Sequence, residues 1–178
     1  LVTALLMHRF RSVRMVLYPL LVISQTVPLI VLAPVFILWF GFGILPKVLV
    51  VILVCFFPIA VNTLEGLDST DRDITDLFAS MGAGGLRILF SAKLPAALPH
   101  LFSGLKIAAT YSMIGAVIGE WLGGTKGLGV YMVRAQKAFA IDQVFAAILY
   151  ISAISISLLL LVLFLQRLIM PWHKEARL

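Results

Sequence analysis

Residues 71–95 read DRDITDLFASMGAGGLRILFSAKLP and separate two long apolar runs. Ile74, Leu77, Phe78 and Met81 fall at i, i+3, i+4 and i+7, the spacing of one helical face. Asp71, Asp73 and Asp76 lie toward the N-terminus of that helix, where negative charge suits the helix dipole. Gly82 follows the last periodic residue, the usual place for a left-handed C-terminal residue. A second short helix is expected over 86–91, with Leu86, Leu89 and Phe90 on its apolar side and Leu94-Pro95 ending it. Two short helices around a glycine break make a rigid knob with an apolar side and an acidic rim, suited to another protein's groove. The competing reading is a helix lying on lipid. Such helices carry Lys and Arg on the polar face, and this one carries Asp.

The chain on either side of the knob is built for lipid. Of its 178 residues 62% are hydrophobic and only 12% charged, about half the charge of a soluble domain. Crossing the hydrocarbon takes ~20 apolar residues in a helix. Four runs qualify, over 19–42, 46–64, 101–122 and 144–165. They are expected to be helices, because lipid offers backbone groups no partners. Pro28 and Pro34 in the first run and Pro58 in the second favour kinks, whereas Pro46 opens its helix. The segment LVTALLM at 1–7 is too short to cross and has no signal-peptide character. It is expected to be the remnant of an earlier span, with the chain incomplete at its N-terminus. Residues 1–178 form one membrane domain, within which 65–99 is the connecting loop.

Orientation follows from the basic residues. Arg9, Arg11, Arg14, Arg72, Arg87, Lys93, Arg167, Lys174 and Arg177 fall on one side, and Lys47, Lys126, Arg134 and Lys137 on the other. The richer side is the cytoplasm, so the loop and the C-terminus are cytoplasmic. Lys106 can snorkel to that same face. This distribution accounts for the net charge of +6 without nucleic-acid binding, since no basic stripe interleaves with exposed aromatics.

The residues hold no catalytic set and no metal site. His8, His100 and His173 sit at span ends, where interfacial solvation explains them. Cys55 lies alone inside an apolar run and reads as packing. The GGTK sequence at 123–126 lacks the order of a phosphate-binding loop. Glu120, near the outer end of the third span, is costly unless solvated or paired. It is a gate or pathway candidate with Lys126 or Arg134 as partner, or else an acid holding a helix end. Gly115, Gly119 and Gly123 allow close helix approach. Gln25, Pro28, Trp39, Asn62 and Glu120 are the pathway or gate candidates, and internal helix contacts account for the polar ones about as well.

The loop resembles that of permeases in binding-protein-dependent ABC importers, whose pattern is Glu-Ala-Ala, three residues, Gly, nine residues, Ile-x-Leu-Pro. Here the matching positions read Asp76-Leu77-Phe78, Gly82 and Ala92-Lys93-Leu94-Pro95. The glycine and the Leu-Pro pair keep the spacing, while the first three positions keep only the acid. Ala33-Pro34, Leu38 to Gly43, Phe56-Phe57-Pro58 with Asn62-Thr63, Gly119 to Gly123, and Gly127-Leu128-Gly129 through Gln136 are similar to the nitrate, sulfonate, taurine and pyrimidine-precursor branch. The resemblance implies a type I importer permease of six spans, pairing with a second permease copy as a homodimer. It also implies a separate ATPase subunit that binds the ATP, an extracytoplasmic substrate-binding protein, and residence in the bacterial cytoplasmic membrane. The permease itself would carry no cofactor. Asp76, Leu77, Phe78, Ala79, Ser80, Met81, Gly82, Ala83, Leu94 and Pro95 would then form the coupling helix that docks on the ATPase. Among substrates, an aromatic heterocycle such as a thiamine pyrimidine precursor or riboflavin is favoured over sulfonate, taurine or nitrate. An ATP-independent transporter or channel would carry ion-coupling charges at mid-span, and the span centres are almost free of charge.

Overall fold

The computed structural model describes residues 1–172. His173, Lys174 and Arg177, which entered the histidine and charge arguments, lie outside the described residues. Helices α1 (Val2–Arg9), α2 (Arg11–Thr26), α3 (Leu29–Phe40) and α4 (Ile44–Asp68) are followed by the short α5 (Arg72–Ser80) and α6 (Gly85–Ile88). A π-helical turn (Leu89–Lys93) then leads into α7 (Leu94–Gly123), α8 (Leu128–Lys137) and α9 (Ile141–Ile169). The all-α helical bundle expected from the apolar runs is what forms.

Helices α4 and α9, and the continuous run Gly85–Gly123 that contains α7, are each long and apolar enough to cross a membrane. The first expected crossing needs correction. Instead of one helix over 19–42, α2 and α3 form a pair bent by 102°, and Pro19 lies inside α2 rather than at its start. The break falls at Pro28, as proline chemistry requires. The residue before a proline is pushed out of the helical region, and Val27 adopts φ −80°, ψ 121°. Pro28 itself takes ψ 127° and becomes the N-cap of α3. Pro34 and Pro58 leave α3 and α4 continuous.

A second correction concerns Leu94-Pro95. The pair does not stop the second loop helix, because the chain continues through the π-helical turn directly into α7. Pro95 falls in the first turn of α7, where a missing N–H is cheap. It cannot donate to the Ser91 carbonyl, and the turn before it runs in the wider i→i−5 register, with the Leu94 N–H on the Leu89 carbonyl.

The bundle is organised around antiparallel α4 and α7, which meet along glycines. A Cβ built on Gly104 would lie 2.6 Å from the Pro58 carbonyl oxygen, and one on Gly119 3.3 Å from Lys47 Cα. Gly66 faces Ala97 and His100 in the same way, and Gly115 faces Val51. Gly115 and Gly119 therefore serve helix packing within the chain. At the loop end, Ala4 and Met7 of α1, Leu64 and Leu67 of α4 and Ala97 of α7 form a buried apolar cluster. This cluster anchors α1 beneath the loop.

Candidate functional site

The loop holds its shape through local devices. Asp71 caps α5 by accepting the Asp73 N–H at 3.0 Å, and Gly82 ends it at φ +78°, where a Cβ would be strained. The Ala83 N–H reaches back to the Phe78 carbonyl at 3.0 Å, closing the helix end. None of this requires a tertiary partner, and little tertiary cover exists. Ile74, Leu77 and Met81 are exposed, as are Leu86 and Phe90 beyond the glycine turn. Phe78 alone of the α5 stripe is half-buried. Leu77 and Phe78, with Ala79 and Ser80, therefore sit between the cap and the turn on an element that buries none of its residues in the bundle, and Ala83 follows the turn, half-buried.

Leu94 and Pro95 are only half-buried but belong to the body: Leu94 packs against the buried cluster at the loop end. Asp76 faces a groove of about 840 Å³ between α1 and the loop, lined also by Leu5, His8, Arg9, Leu89 and Lys93.

His8 departs from the expectation of interfacial solvation. Its Nδ1 lies 2.7 Å from Asp68 Oδ1, and its Nε2 lies 2.8 Å from Lys93 Nζ. Arg14 donates to the second Asp68 oxygen at 2.6 Å. The partners come from α1, α2, α4 and the π-helical turn, separated by 54 to 85 residues. No local sequence signal marks such a cluster. His100 packs against Gly66 of α4.

The break between α2 and α3 borders a cavity of about 250 Å³, lined by Ser24, Gln25 and Pro28 together with Leu53, Tyr111 and Ile114. Two hydroxyls of α2 bond back along the helix: Ser24 donates to the Leu21 carbonyl at 2.7 Å and Thr26 to the Ile23 carbonyl at 2.8 Å. The α3 N-terminus has no side-chain cap. The structure thus brings Gln25 and Pro28 together and adds Tyr111, whose position on α7 gives no hint of this in sequence.

The other three pathway candidates stand apart from that cavity. Asn62 donates back to the Pro58 carbonyl at 2.7 Å within α4. Trp39 is exposed, with an edge-to-face contact to Phe40 at 6.5 Å between ring centroids. Glu120 pairs with neither expected cation. Its carboxylate accepts the Gly129 N–H at 2.7 Å, and Arg134 donates instead to the Thr125 carbonyl at 3.2 Å. The turn from α7 to α8 wraps the carboxylate so closely that a Cβ on Gly127 would collide with it.

A bundle of helices long and apolar enough to cross a membrane, with a broken crossing and an exposed amphipathic loop, defines a polytopic membrane protein. The pattern of the family described as "Binding-protein-dependent transport system inner membrane component" matches residues 1–174. Similar proteins include the formylaminopyrimidine transport permease protein ThiX of Halalkalibacterium halodurans, 43% identical over 97% of this chain and 69% of the relative. The riboflavin transport system permease protein RibX of Chloroflexus aurantiacus is 35% identical over 92% of this chain and 61% of its own length. The taurine transport system permease protein TauC of Escherichia coli is 33% identical over 93% and 60%. The chain thus spans between 60% and 69% of the length of these three relatives. This chain belongs to the family of inner-membrane permease components of binding-protein-dependent ABC importers.

Proposed function

We propose that the chain is the permease subunit of an ATP-driven importer, and that its cytoplasmic loop docks into a groove on a separate ATPase subunit. The observation that carries this reading is the exposure of Ile74, Leu77 and Met81 at α5, and of Leu86 and Phe90 beyond the glycine turn, on a loop held by its own cap and glycine turn. A locally capped helix loses little conformational entropy on docking, so most of the contact energy becomes affinity. ATP belongs to the partner, and the permease supplies the pathway. Gln25 and Pro28 at the broken crossing contribute to that pathway, with Trp39, Asn62 and Glu120 as further candidates. A second copy completes it, and an extracytoplasmic binding protein delivers the solute. The gathering of Arg9, Arg11, Arg14 and Lys93 at the loop end, away from Lys47, supports a cytoplasmic loop in the bacterial plasma membrane, with the C-terminus on that side.

The test is co-purification of the permease with a nucleotide-binding subunit from detergent extracts. Gly82→Leu strains the left-handed residue by about 1–2 kcal/mol, and Asp76→Lys reverses the charge of the rim. Each is expected to reduce the ATPase subunit recovered while the permease remains in the membrane. Unchanged association in both, or solute uptake by vesicles without any ATPase, overturns the docking reading.

For the substrate, an aromatic heterocycle is the reading best supported. The 43% and 35% identical relatives carry names for formylaminopyrimidine and riboflavin transport, while the relative named for taurine is 33% identical. Proteoliposomes holding the complex and its binding protein are expected to accumulate labelled formylaminopyrimidine in preference to taurine. The reverse preference overturns the assignment.

A further inference from the structure

We propose that His8 is a positioning residue that transmits movement of the loop to the membrane helices, and that it does so only with its ring neutral. The proposal rests on the docking reading above, since the movement begins where the ATPase would bind. The chemistry of the neighbours dictates the tautomer. A Lys ammonium has donors and no acceptor, so at 2.8 Å Lys93 Nζ donates to His8 Nε2. The Nε2 lone pair is therefore free of a proton, and the ring hydrogen is on Nδ1, donated to Asp68 Oδ1 at 2.7 Å. Arg14 holds the other Asp68 oxygen. One polar chain thus runs from the π-helical turn through α1 and the end of α4 to α2. It lies on the rim of the apolar cluster that locks α1 to α4 and α7.

The placement suits transmission. Lys93 closes the π-helical turn that joins the loop to α7, and such turns often mark functional sites within helices. The groove between α1 and the loop leaves about 840 Å³ of space beside the chain of contacts, and the polar contacts run alongside the apolar packing of Leu89 and Leu94 on the cluster that holds α1. Protonation of Nε2 removes the acceptor and sets a cation against the Lys93 ammonium. The charged groups around the ring are Arg9 on α1, Arg11 and Arg14 on α2, Asp68 on α4, Asp76 on α5 and Lys93. Basic groups outnumber acidic ones, so a ring cation finds little compensation beyond Asp68.

The experiment compares wild type with His8→Gln and His8→Lys in the reconstituted importer complex, reading solute transported per ATP hydrolysed against pH on the ATPase side. Wild type is expected to lose coupling as the medium is acidified, because a proton on Nε2 removes the acceptor that Lys93 uses. His8→Gln, which keeps an acceptor for Lys93 without titrating, is expected to hold its coupling flat. His8→Lys is expected to be about fivefold or more less coupled at every pH, the lower range of allosteric couplings. If His8→Lys fails to assemble, Lys93→Met serves in its place: it removes the donor to Nε2 and is expected to be less coupled at every pH, and wild-type coupling in it overturns the proposal. A further readout is the 15N spectrum of labelled histidine at pH 8, where the signal missing in His8→Gln should be that of an Nδ1–H tautomer. An acid loss in His8→Gln equal to that of wild type, wild-type coupling in His8→Lys, or an Nε2–H tautomer overturns the proposal. If the ATPase subunit stays associated in those cases, the docking reading survives. If it does not co-purify even with wild type, both fall.

Discussion

A carboxylate near membrane depth demands compensation, and Glu120 receives it from backbone rather than from a cation. The Gly129 N–H at 2.7 Å and the absence of a Cβ at Gly127, where φ is +130°, let the turn close over the side chain. Glu120→Ala leaves that buried N–H without an acceptor and is expected to cost about 1–3 kcal/mol. Glu120→Gln keeps an oxygen acceptor and is expected to cost less than half as much. Thermal unfolding in detergent measures both. Transport by Glu120→Gln then separates two roles: near-normal uptake indicates a fastener of the turn, and lost uptake at unchanged stability indicates a charge acting on the solute. Residue chemistry was legible in the sequence wherever the partner was local. The Asp71 cap and the left-handed Gly82 both act within a few positions. The bonds of His8 and Tyr111's place beside the cavity depend on chain brought together from far away, and the sequence carries no periodic trace of them.

At the scale of elements, helix existence followed from hydropathy, and helix integrity did not. Pro28, Pro34 and Pro58 look alike in sequence as prolines within apolar runs, yet only Pro28 separates two helices. The difference lies in what surrounds each break. Near Pro28, the Thr26 hydroxyl takes the Ile23 carbonyl, one of those left open where α2 ends, and the break borders a cavity rather than a packed helix. Pro58, by contrast, is buried against Gly104 of α7, and its carbonyl takes the Asn62 amide. Gly104→Leu drives a side chain into the Pro58 carbonyl and is expected to destabilise the protein by about 1–3 kcal/mol or more. The melting temperature in detergent checks this. Gly43→Ala, which meets no atom within 4 Å and has an extended φ of 163°, serves as the control for an open glycine outside the helix pair. The second loop helix was misjudged for a related reason: Leu94-Pro95 reads as a stop, but proline in a first turn is a permitted start.

For the whole molecule, the all-α membrane class was readable from composition and the length of the apolar runs, because lipid tolerates so few backbone solutions, and the permease class from the loop motif. The partners are a different matter. The apolar residues of the loop are exposed, and the ATPase subunit proposed to cover them is an occupant that the chain's own residues do not identify. The solute leaves a fainter mark on the chain, since the cavity at the broken crossing is mostly apolar, with Ser24, Gln25 and Tyr111 as its polar groups. Helix α9 shows the same openness on a larger scale, with Ala147 and Gln166 its buried residues among 29, so the face turned away from α7 and α8 is available to lipid or to another subunit.

The glycine contacts between α4 and α7 have a mechanical corollary. Two helices whose backbones touch at four levels cannot slide along one another without lifting apart, so they bend and tilt as a single strut. Such a strut, about 37 Å long at 1.5 Å per residue, would carry a push at Lys93 undiminished to its far end. There Ile37 of α3 rests on Gly123, so the element best placed to swing is the short arm beyond Pro28.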